Sequence, residues 1–404
     1  MLNLKNEGLS LRAGRFLGRY ALSFAFTLLA IEFLDEFVFG VREASWPLVR
    51  NDLRLSYTEI GLLMSVPSIF GCVVEPVLGI LADVWKRRAI ILSGGIAFTL
   101  AALLISVSHS FMLLMLASML FSPAGGAFVA LSQAALMDAA PARREQNMAR
   151  WELAGSLGNV CGPIALGLAL LCGTGWRSVF LILFALSLLL LLFAWRLPFP
   201  TPAASSLEEH EQVSLRDGIR GAIRALGRRE VLRWLILLEL ADLMMDGLHG
   251  YLALYFVDVV GLTEAQAGLS LIVWTCAGLP GDILLLPLLE RVRGLSYLRL
   301  SAFVILPLFA AFLLLPGITT KLFILGLIGF ANAGWYSILK AQLYAAMPGQ
   351  SGTVMTLSNV SGLFNSLIPL GIALFAERFG LAAAMWLLIF GPLALLFGVP
   401  RESK

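Results

Sequence analysis

Residues 32–63 read EFLDEFVFGVREASWPLVRNDLRLSYTEIGLL, and residues 239–270 read ELADLMMDGLHGYLALYFVDVVGLTEAQAGLS. A single register aligns the two stretches and matches Glu32 with Glu239, Asp35 with Asp242, Gly40 with Gly247 and Gly61 with Gly268. Both stretches are apolar, yet both carry several carboxylates. A charged group at the centre of a bilayer costs at least about 2.5 to 3.5 kcal/mol. The carboxylates therefore indicate a functional site that faces protein or water inside a membrane.

Long apolar blocks make up most of the rest of the chain. Hydrophobic residues are 59% of the 404 residues and charged residues only 14%. A membrane-spanning helix needs about 20 predominantly apolar residues. We therefore expect an all-α membrane protein with twelve transmembrane helices, at residues 20–49, 57–82, 88–108, 111–138, 147–172, 176–198, 230–258, 264–290, 296–316, 319–346, 351–376 and 380–399.

The internal repeat predicts how these helices are grouped. It continues beyond the first matched stretch, and Pro163 meets Pro369 after a slip of one residue. Parallel repeats of this kind form transporters whose substrate site lies between the two halves, near the middle of the membrane. We expect two six-helix bundles related by pseudo-twofold symmetry, residues 1–198 and 230–404. The segment between them, 199–229, is expected to be a cytoplasmic linker with an amphipathic helix on the membrane surface.

Lysine and arginine predict the orientation, because cytoplasmic loops hold an excess of both. With the N-terminus inside, the inner segments contain most of them, including Lys86, Arg87 and Arg88, whereas the outer segments keep only Arg50, Arg54, Arg177, Lys321 and Arg378. We expect both termini to be cytoplasmic and the protein to lie in a bacterial inner membrane. The net charge of +3 reflects this topology and does not indicate nucleic-acid binding.

Helical geometry places the carboxylates on two faces. At about 100° per residue, Glu32, Asp35, Glu36 and Glu43 lie on one face of the first helix, with Arg42 at its margin; we call these four carboxylates the first stripe. Glu239, Asp242 and Asp246 form the second stripe in the seventh helix, with His249 at its margin. We expect the stripes to face each other across a central cavity. Seven carboxylates so close together cannot all remain ionised, which suits coupling to protons.

Other polar residues within the apolar blocks are weaker candidates for the cavity. Glu75 precedes a proline in the second helix. A substrate cavity would also include Gln133, Asn332, Trp335, Tyr336, Lys340, Asn359 and Asn365. Lys340 is the strongest of these, since a lysine within a span requires a carboxylate or an anionic substrate group. Isolated Asn or Gln residues in a span often only join helices. The four cysteines have no metal-ligand spacing, and we expect no metal and no cofactor.

The loop after the second helix carries a family resemblance. GILADVWKRR resembles the loop signature of the major facilitator superfamily of secondary transporters, with matches at Gly79, Asp83, Arg87 and Arg88 and departures at Val84 and Lys86. Asp83 and the neighbouring cations, with Asp138 as another partner, are expected to form a gating contact at the inner mouth. The resemblance implies twelve helices and transport by alternating access.

A second motif narrows the resemblance. In the fifth helix, Gly158, Gly162 and Pro163 resemble the Gly-Pro signature of proton-coupled drug antiporters, and LSYTEIGLL followed by EPVLG resembles bacterial exporters of the fosmidomycin-resistance type. Such antiporters usually have an arginine four residues before a glycine in the fourth helix. Here Phe121 lies in that position before Gly125, so Arg42 is the candidate to replace the missing cation.

These observations lead to a functional hypothesis. We expect a monomeric secondary transporter, not an enzyme, that uses protons to export a small amphiphilic or cationic compound. No GxxxxGK[ST] loop is present, which argues against an ATP-driven pump. A lipid or lysolipid flippase and a solute symporter remain alternatives, as does a non-transporting membrane sensor.

Overall fold

A computed structural model describes residues 3–84, 87–139, 144–197, 227–347, 357 and 361–400. Side chains at positions 3–23, 79–80, 82–84, 144–146, 149 and 286 are not described. Within these ranges the regular secondary structure is helical, without strands. The expected linker helix, Asn359 and Lys86 lie outside the described residues.

The first half contains six helices. They are α1 (Asn3–Leu53), α2 (Tyr57–Val84), α3 (Arg87–Ser106), α4 (Phe111–Ala139), α5 (Arg144–Leu171) and α6 (Trp176–Arg196). The second half contains α7 (Arg229–Asp258), α8 (Glu264–Leu289), α9 (Gly294–Leu314), α10 (Ile318–Ala345), α11 (Ile368–Phe379) and α12 (Leu381–Gly398). The expected order of helices is confirmed.

Nine of these helices are long and apolar enough to cross a membrane, as far as the chain is described. The other three are α1 and α7, which carry the carboxylate stripes, and α11, which is short as described. Large apolar side chains such as Leu171 and Phe397 are about four-fifths exposed. Such exposure of apolar groups is expected where a protein faces lipid rather than water.

The two halves meet at interfaces that the repeat relates to each other. Helix α2 packs on α11, and α8, the repeat of α2, packs on α5. A Cβ atom on Gly61 would lie 3.3 Å from the carbonyl oxygen of Pro369, and one on Gly268 would lie 3.4 Å from Cβ of Pro163. The matched glycines and prolines thus meet crosswise between the halves, where the absent side chain allows close approach.

Two helices change their geometry near the centre of the fold. Helix α4 contains a π-helical segment, Gly126–Ala130, a feature that frequently marks functional sites. Helix α10 is interrupted between Ala331 and Trp335. Gly334 at the interruption has φ 74°, in the left-handed region that favours glycine. The interruption lets the second segment of α10 start in a new direction.

One charged residue has a different position from the expected one. Lys321 is only 6% exposed and does not lie in an outer loop. Its Nζ donates to the hydroxyl of Tyr255 at 3.0 Å and to the carbonyl oxygens of Phe312 and Leu313. These carbonyls lie in the last turn of α9, where helical partners are lacking. Lys321 therefore joins α7, α9 and α10 within the second half, and it is weak evidence for topology.

Candidate functional site

A cavity of about 730 Å³ lies between the two halves. Side chains of α1, α2, α4, α7 and α11 line it, and these include the whole first stripe together with Arg42, Glu75, Asp246 and His249. A second pocket, of about 380 Å³, adjoins it in the second half and is lined by Glu239, Asp242, Tyr336, Lys340 and Ser361, among others. Asp246, Gly362 and Asn365 line both. We call the two spaces the main cavity and the side pocket.

The first stripe lies against small residues of neighbouring helices. Asn159 on α5 donates to Glu36 Oε2 at 3.2 Å, and Trp151 lies within hydrogen-bonding reach of Glu32. A Cβ on Gly155 would lie 2.8 Å from Glu32 Oε1. The glycines of α5 thus leave room for the carboxylates of α1.

Glu43 differs from the rest of its stripe because it is almost fully buried, with 4% exposure. Its Oε1 accepts from Arg42 Nε at 3.2 Å and its Oε2 accepts from Trp46 Nε1 at 3.1 Å. Across the interface, a Cβ on Gly250 would lie 3.6 Å from Glu43 Oε2. Arg42 and Glu43 therefore form the ion pair of the first stripe, and Arg42 supplies a cation to the cavity that α4 lacks.

The second stripe lines the side pocket. Asp242 is 7% exposed and Asp246 opens onto both spaces. Ser361 lies within reach of Glu239, whose Oε2 is a buried atom with no hydrogen-bond partner in the described part of the chain. Lys340 Nζ lies 3.2 Å from the Tyr336 hydroxyl and is close enough to Glu239 and Asp242 to interact with both electrostatically. The lysine on α10 is thus the cation of this pocket.

An aromatic pair joins the two stripes. The rings of Phe39 on α1 and His249 on α7 stack with centroids 5.5 Å apart and planes 8° from parallel. The guanidinium of Arg42 lies over the Phe39 ring, with Cζ 5.1 Å from the ring centroid. The pair fixes the register of α1 against α7. Asp35, Asp242 and Asp246 all precede it along their helices, so these acidic groups lie on the same side of the stack.

The weaker candidates divide into two groups. Gln133 and Asn365 line the main cavity, and Tyr336, Lys340 and Asn365 line the side pocket. Trp335 and Asn332 line neither. Trp335 is fully buried and donates to Ser301 at 2.7 Å, and Asn332 ends the first segment of α10. Trp335 and Asn332 therefore lie away from both spaces in this structure, and their contact with substrate stays a prediction.

Some residues that line the two spaces have only a weak signal, or none, in the sequence. Glu75 packs beside Gly126, where a Cβ would lie 2.8 Å from Glu75 Cδ, at the start of the π-helical segment. On the neighbouring Gly125, a Cβ would lie 3.9 Å from Asp35 Oδ1. The two glycines of α4 thus leave room for Glu75 from α2 and for Asp35 from α1. Ser361 and Ser366 were not proposed, since a lone serine in a span gives no distinguishing signal in the sequence.

The residues proposed for gating lie at two places. Arg87 Nη1 pairs with Asp138 Oδ2 at 2.6 Å, and Arg88 donates to the carbonyl oxygen of Trp195 at 2.5 Å. Gly79 and Asp83 lie in α2, but their side chains are outside the described set. Gly158, Gly162 and Pro163 lie where α5 crosses α1, and a Cβ on Gly162 would lie 2.5 Å from Gly40 C.

Polar contacts between the halves close one end of the main cavity. At the C-terminal ends of α1 and α7, Asp258 accepts from Arg50 and from the Tyr57 hydroxyl, the latter at 2.6 Å. Asn51 donates to Glu264 at 2.6 Å. We call these five residues the closed-end network. Nearer the centre, Ser65 accepts from the Leu370 amide at 3.1 Å and Ser68 bonds Ser366 at 2.8 Å. These contacts close the main cavity at the C-terminal ends of α1 and α7.

Comparison with solved structures supports the same architecture. A bacterial homologue of the human lysosomal transporter Spinster, in an inward-facing and occupied conformation, matches with a TM-score of 0.75, 16% identity and coverage of 94% of this chain and 96% of that one. The nucleoside transporter NupG matches with a TM-score of 0.74, 14% identity and coverage of 93% of this chain and 97% of that one. A D-xylose-proton symporter matches with a TM-score of 0.72, 15% identity and coverage of 94% of this chain and 97% of that one. At such identities the likeness shows the fold, which is the twelve-helix arrangement of two six-helix bundles.

Sequence comparison shows the family. One curated relative, "Probable actinorhodin transporter" of Streptomyces coelicolor, is 30% identical over 161 residues, which are 38% of this chain and 28% of that protein. The matched part is thus less than a third of that relative. The sequence profile of the Major Facilitator Superfamily matches residues 13–376, nearly the whole chain. The chain therefore belongs to the Major Facilitator Superfamily and is an integral membrane transporter rather than an enzyme.

Proposed function

We propose that this transporter exchanges protons for a small cationic or amphiphilic compound and exports it by alternating access. The observation that carries the proposal is the pair of carboxylate stripes, one from each half, around two adjoining spaces. Arg42 and Lys340 are the cations that line the two spaces, so the lining groups are predominantly acidic. An acidic, enclosed site attracts a cation and rejects an anion.

Protons provide the coupling in this scheme. The bound cation must leave the carboxylates before the empty transporter can return to its other conformation. An empty site with ionised carboxylates inside the membrane is energetically costly. Protons that bind from the outer side would neutralise the stripes and favour the return step. Release of those protons to the cytoplasm would restore the affinity for a cation. The Arg42–Glu43 pair keeps its charges balanced throughout, because both are already partnered.

The proposed orientation assigns each end of the protein to one side of the membrane. We infer cytoplasmic termini, residues 1–198 and 230–404 as the two bundles, residues 199–229 as a cytoplasmic linker and a monomer in a bacterial inner membrane. The C-terminal ends of α1 and α7, closed here, would then face outward and the open end would face the cytoplasm. The partial sequence likeness to a transporter named for actinorhodin adds support for export of an organic compound.

Proton flux in proteoliposomes tests the proposal. Ethidium serves as a cationic probe, and a pH-sensitive dye in the lumen reports protons. We expect ethidium-dependent proton movement in the wild type and a loss of at least about tenfold in Asp35→Asn and in Asp242→Asn, since a neutral amide cannot exchange a proton. Glu230→Gln is the matched control, because Glu230 is exposed in the first turn of α7 and lines neither space.

Each outcome separates the candidate functions. Unchanged flux in both Asn variants would refute the coupling role of the stripes. Protons that move in the same direction as the solute would indicate symport. Saturable binding of solutes without any flux would indicate a sensor, and movement of fluorescent lysolipid but not of cations would indicate a flippase.

A further inference from the structure

The repeat-matched carboxylates of the two stripes are not equivalent in their contacts. Glu32 and Glu239 form one matched pair, and each has a donor within reach, Trp151 and Ser361 respectively. Asp35 and Asp242 form the other pair. Neither of these aspartates has a hydrogen-bond donor among the residues that the structure describes. Among the described residues, this symmetric pair of carboxylates therefore accepts no hydrogen bond from a donor.

This pair of aspartates is directed into the cavities. Asp242 is 93% buried by its neighbours, yet it lines the side pocket. Asp35 lines the main cavity. A buried carboxylate without a donor loses its hydration and gains no replacement, which costs several kcal/mol if it stays ionised. A group kept in such a position, and open only toward a cavity, is placed for a ligand or a proton.

The two aspartates belong to the walls of adjoining spaces, Asp35 to the main cavity and Asp242 to the side pocket. Along α1, Asp35 precedes Phe39 by four residues, and along α7, Asp242 precedes His249 by seven. At 1.5 Å per residue these are depths of about 6 Å and about 10 Å below the Phe39–His249 stack. Asp246, which lines both spaces, lies between Asp242 and the stack. An acidic path therefore runs from one wall to the other below the aromatic pair.

The charges of each wall are not balanced by the protein. Arg42 is paired with Glu43 and also interacts electrostatically with Asp35, but Glu36 and Glu75 are close to the same aspartate. Lys340 is the cation near Asp242, but Glu239 and Asp246 are close to the same aspartate. A ligand with one positive charge would leave one wall uncompensated. A ligand with a positive charge at each end would compensate both.

We propose, on the basis of the proposed function, that the cargo is a linear dication such as an α,ω-diamine or a polyamine. One ammonium group binds Asp35 and the other binds Asp242, so the pseudo-twofold symmetry of the site matches the symmetry of the ligand. Each ammonium donates to a carboxylate that otherwise has no donor. One proton per ammonium replaces the cargo after release, which leaves the charge of the site unchanged.

Calorimetric titration of the full-length protein in lipid nanodiscs tests this proposal. Linear diamines from propane- to decanediamine are compared with the primary monoamines of equal length. We expect the best diamine to bind at least about tenfold more tightly than its monoamine, a difference that corresponds to about 1.4 kcal/mol. Because the two aspartates are fixed on separate helices, affinity should peak at an intermediate chain length. In Asp35→Asn and in Asp242→Asn the diamine should bind no better than the monoamine, whereas Glu230→Gln should retain the preference.

The possible failures are distinguishable. Equal affinity for diamines and monoamines in the wild type, which needs no variant, would overturn the dication and leave proton-coupled export of a cation intact. A diamine preference that survives both Asn substitutions would also overturn it, because the ammonium groups would then bind elsewhere. If no amine binds and no cation drives proton flux, the proposed function fails as well.

Discussion

Glu43 shows how neighbouring donors can satisfy a single buried carboxylate within a membrane. Both of its oxygens have donors, Arg42 on one side and Trp46 on the other. The other carboxylates of the first stripe line the cavity with fewer contacts. A fully satisfied buried ion pair is costly to break from one side, because the remaining partner is left without compensation. We therefore assign Glu43 a structural role, beside neighbours for which we propose proton exchange.

Substitution of Trp46 tests this role. Trp46→Phe keeps the ring and removes the donor to Glu43 Oε2, and a buried acceptor left without a partner costs about 1 to 3 kcal/mol. We expect a lower melting temperature of the purified protein and slower transport. Trp176→Phe is the matched control: Trp176 Nε1 also donates to a carboxylate, Asp52, but that group is half-exposed and also accepts from Arg177. Equal losses in both variants would contradict the structural role of Glu43.

The residue pattern predicted the stripes but not the partners of each member. Helical periodicity alone places Asp35 and Glu43 on one face of α1. It cannot show that Glu43 accepts hydrogen bonds from Arg42 and Trp46 whereas Asp35 has no donor among the described residues. Trp335 shows the same limit, since an aromatic residue in a span has the same signal whether it faces substrate or, as here, Ser301.

At the scale of the helices, the close crossing of α1 and α5 supports the first half. Gly40 on α1 and Gly162 on α5 face each other, and Gly158 lies one turn earlier. Close approach through small residues replaces the hydrophobic driving force that helices lack in lipid. This crossing brings Asn159 to Glu36 and leaves space beside Glu32. The arrangement of the first stripe thus depends on glycines that touch no substrate.

A pair of glycine substitutions tests this dependence. Gly162→Ala should lower the yield of monodisperse protein and its melting temperature, because the new Cβ would lie 2.5 Å from backbone atoms of Gly40 and Val41. Overpacking of this kind typically costs about 1 to 3 kcal/mol. Gly167→Ala in the same helix should have little effect, since a Cβ there meets nothing within 4 Å. Size-exclusion profiles of a fluorescent fusion provide the measurement. Comparable behaviour of the two variants would refute the crossing.

The helices differ in how clearly the sequence marks their local features. The fifth helix was identified together with its glycines, because Gly-Pro in an apolar block is a local signal. The interruption of α10 was not predicted, although Gly334 has the left-handed backbone that favours glycine. The chain has 38 glycines, and most lie within helices, so a glycine in an apolar block does not by itself indicate a break.

At the scale of the whole molecule, the structure is closed at one end, as alternating access requires of one of its states. The closed-end network and the crosswise contacts of Gly61 and Gly268 hold the halves together at one end. Single polar contacts of this kind are weak, with about 0 to 1 kcal/mol for an exposed ion pair, and the equilibrium between conformers is sensitive to changes of that size. The periodicity and the repeat predict two halves, but contacts such as Arg50 with Asp258 join residues 208 positions apart and have no local pattern.

Distance measurements across the closed end test this description. In a protein whose native cysteines are replaced, spin labels at His109→Cys and Thr319→Cys report the separation of the halves there, since both positions are exposed near that end. Asp258→Asn should increase the population of the longer distance by up to about fivefold, because it removes the ion pair with Arg50, which stabilises the closed end by about 0 to 1 kcal/mol. Asp52→Asn is the control, because Asp52 pairs with Arg177 inside the first half. The same change in both variants would argue against a role for the closed-end network.

Transport driven by a pH gradient tests the central claim most directly. Proteoliposomes containing the wild-type protein are given an acidic lumen, and the uptake of ethidium from the outside is followed. The proposal predicts accumulation above the external concentration that stops when a protonophore collapses the gradient and that is absent in Asp35→Asn and Asp242→Asn. Accumulation that is equal without the pH gradient, or that persists in both Asn variants, would contradict proton-coupled transport by the two stripes.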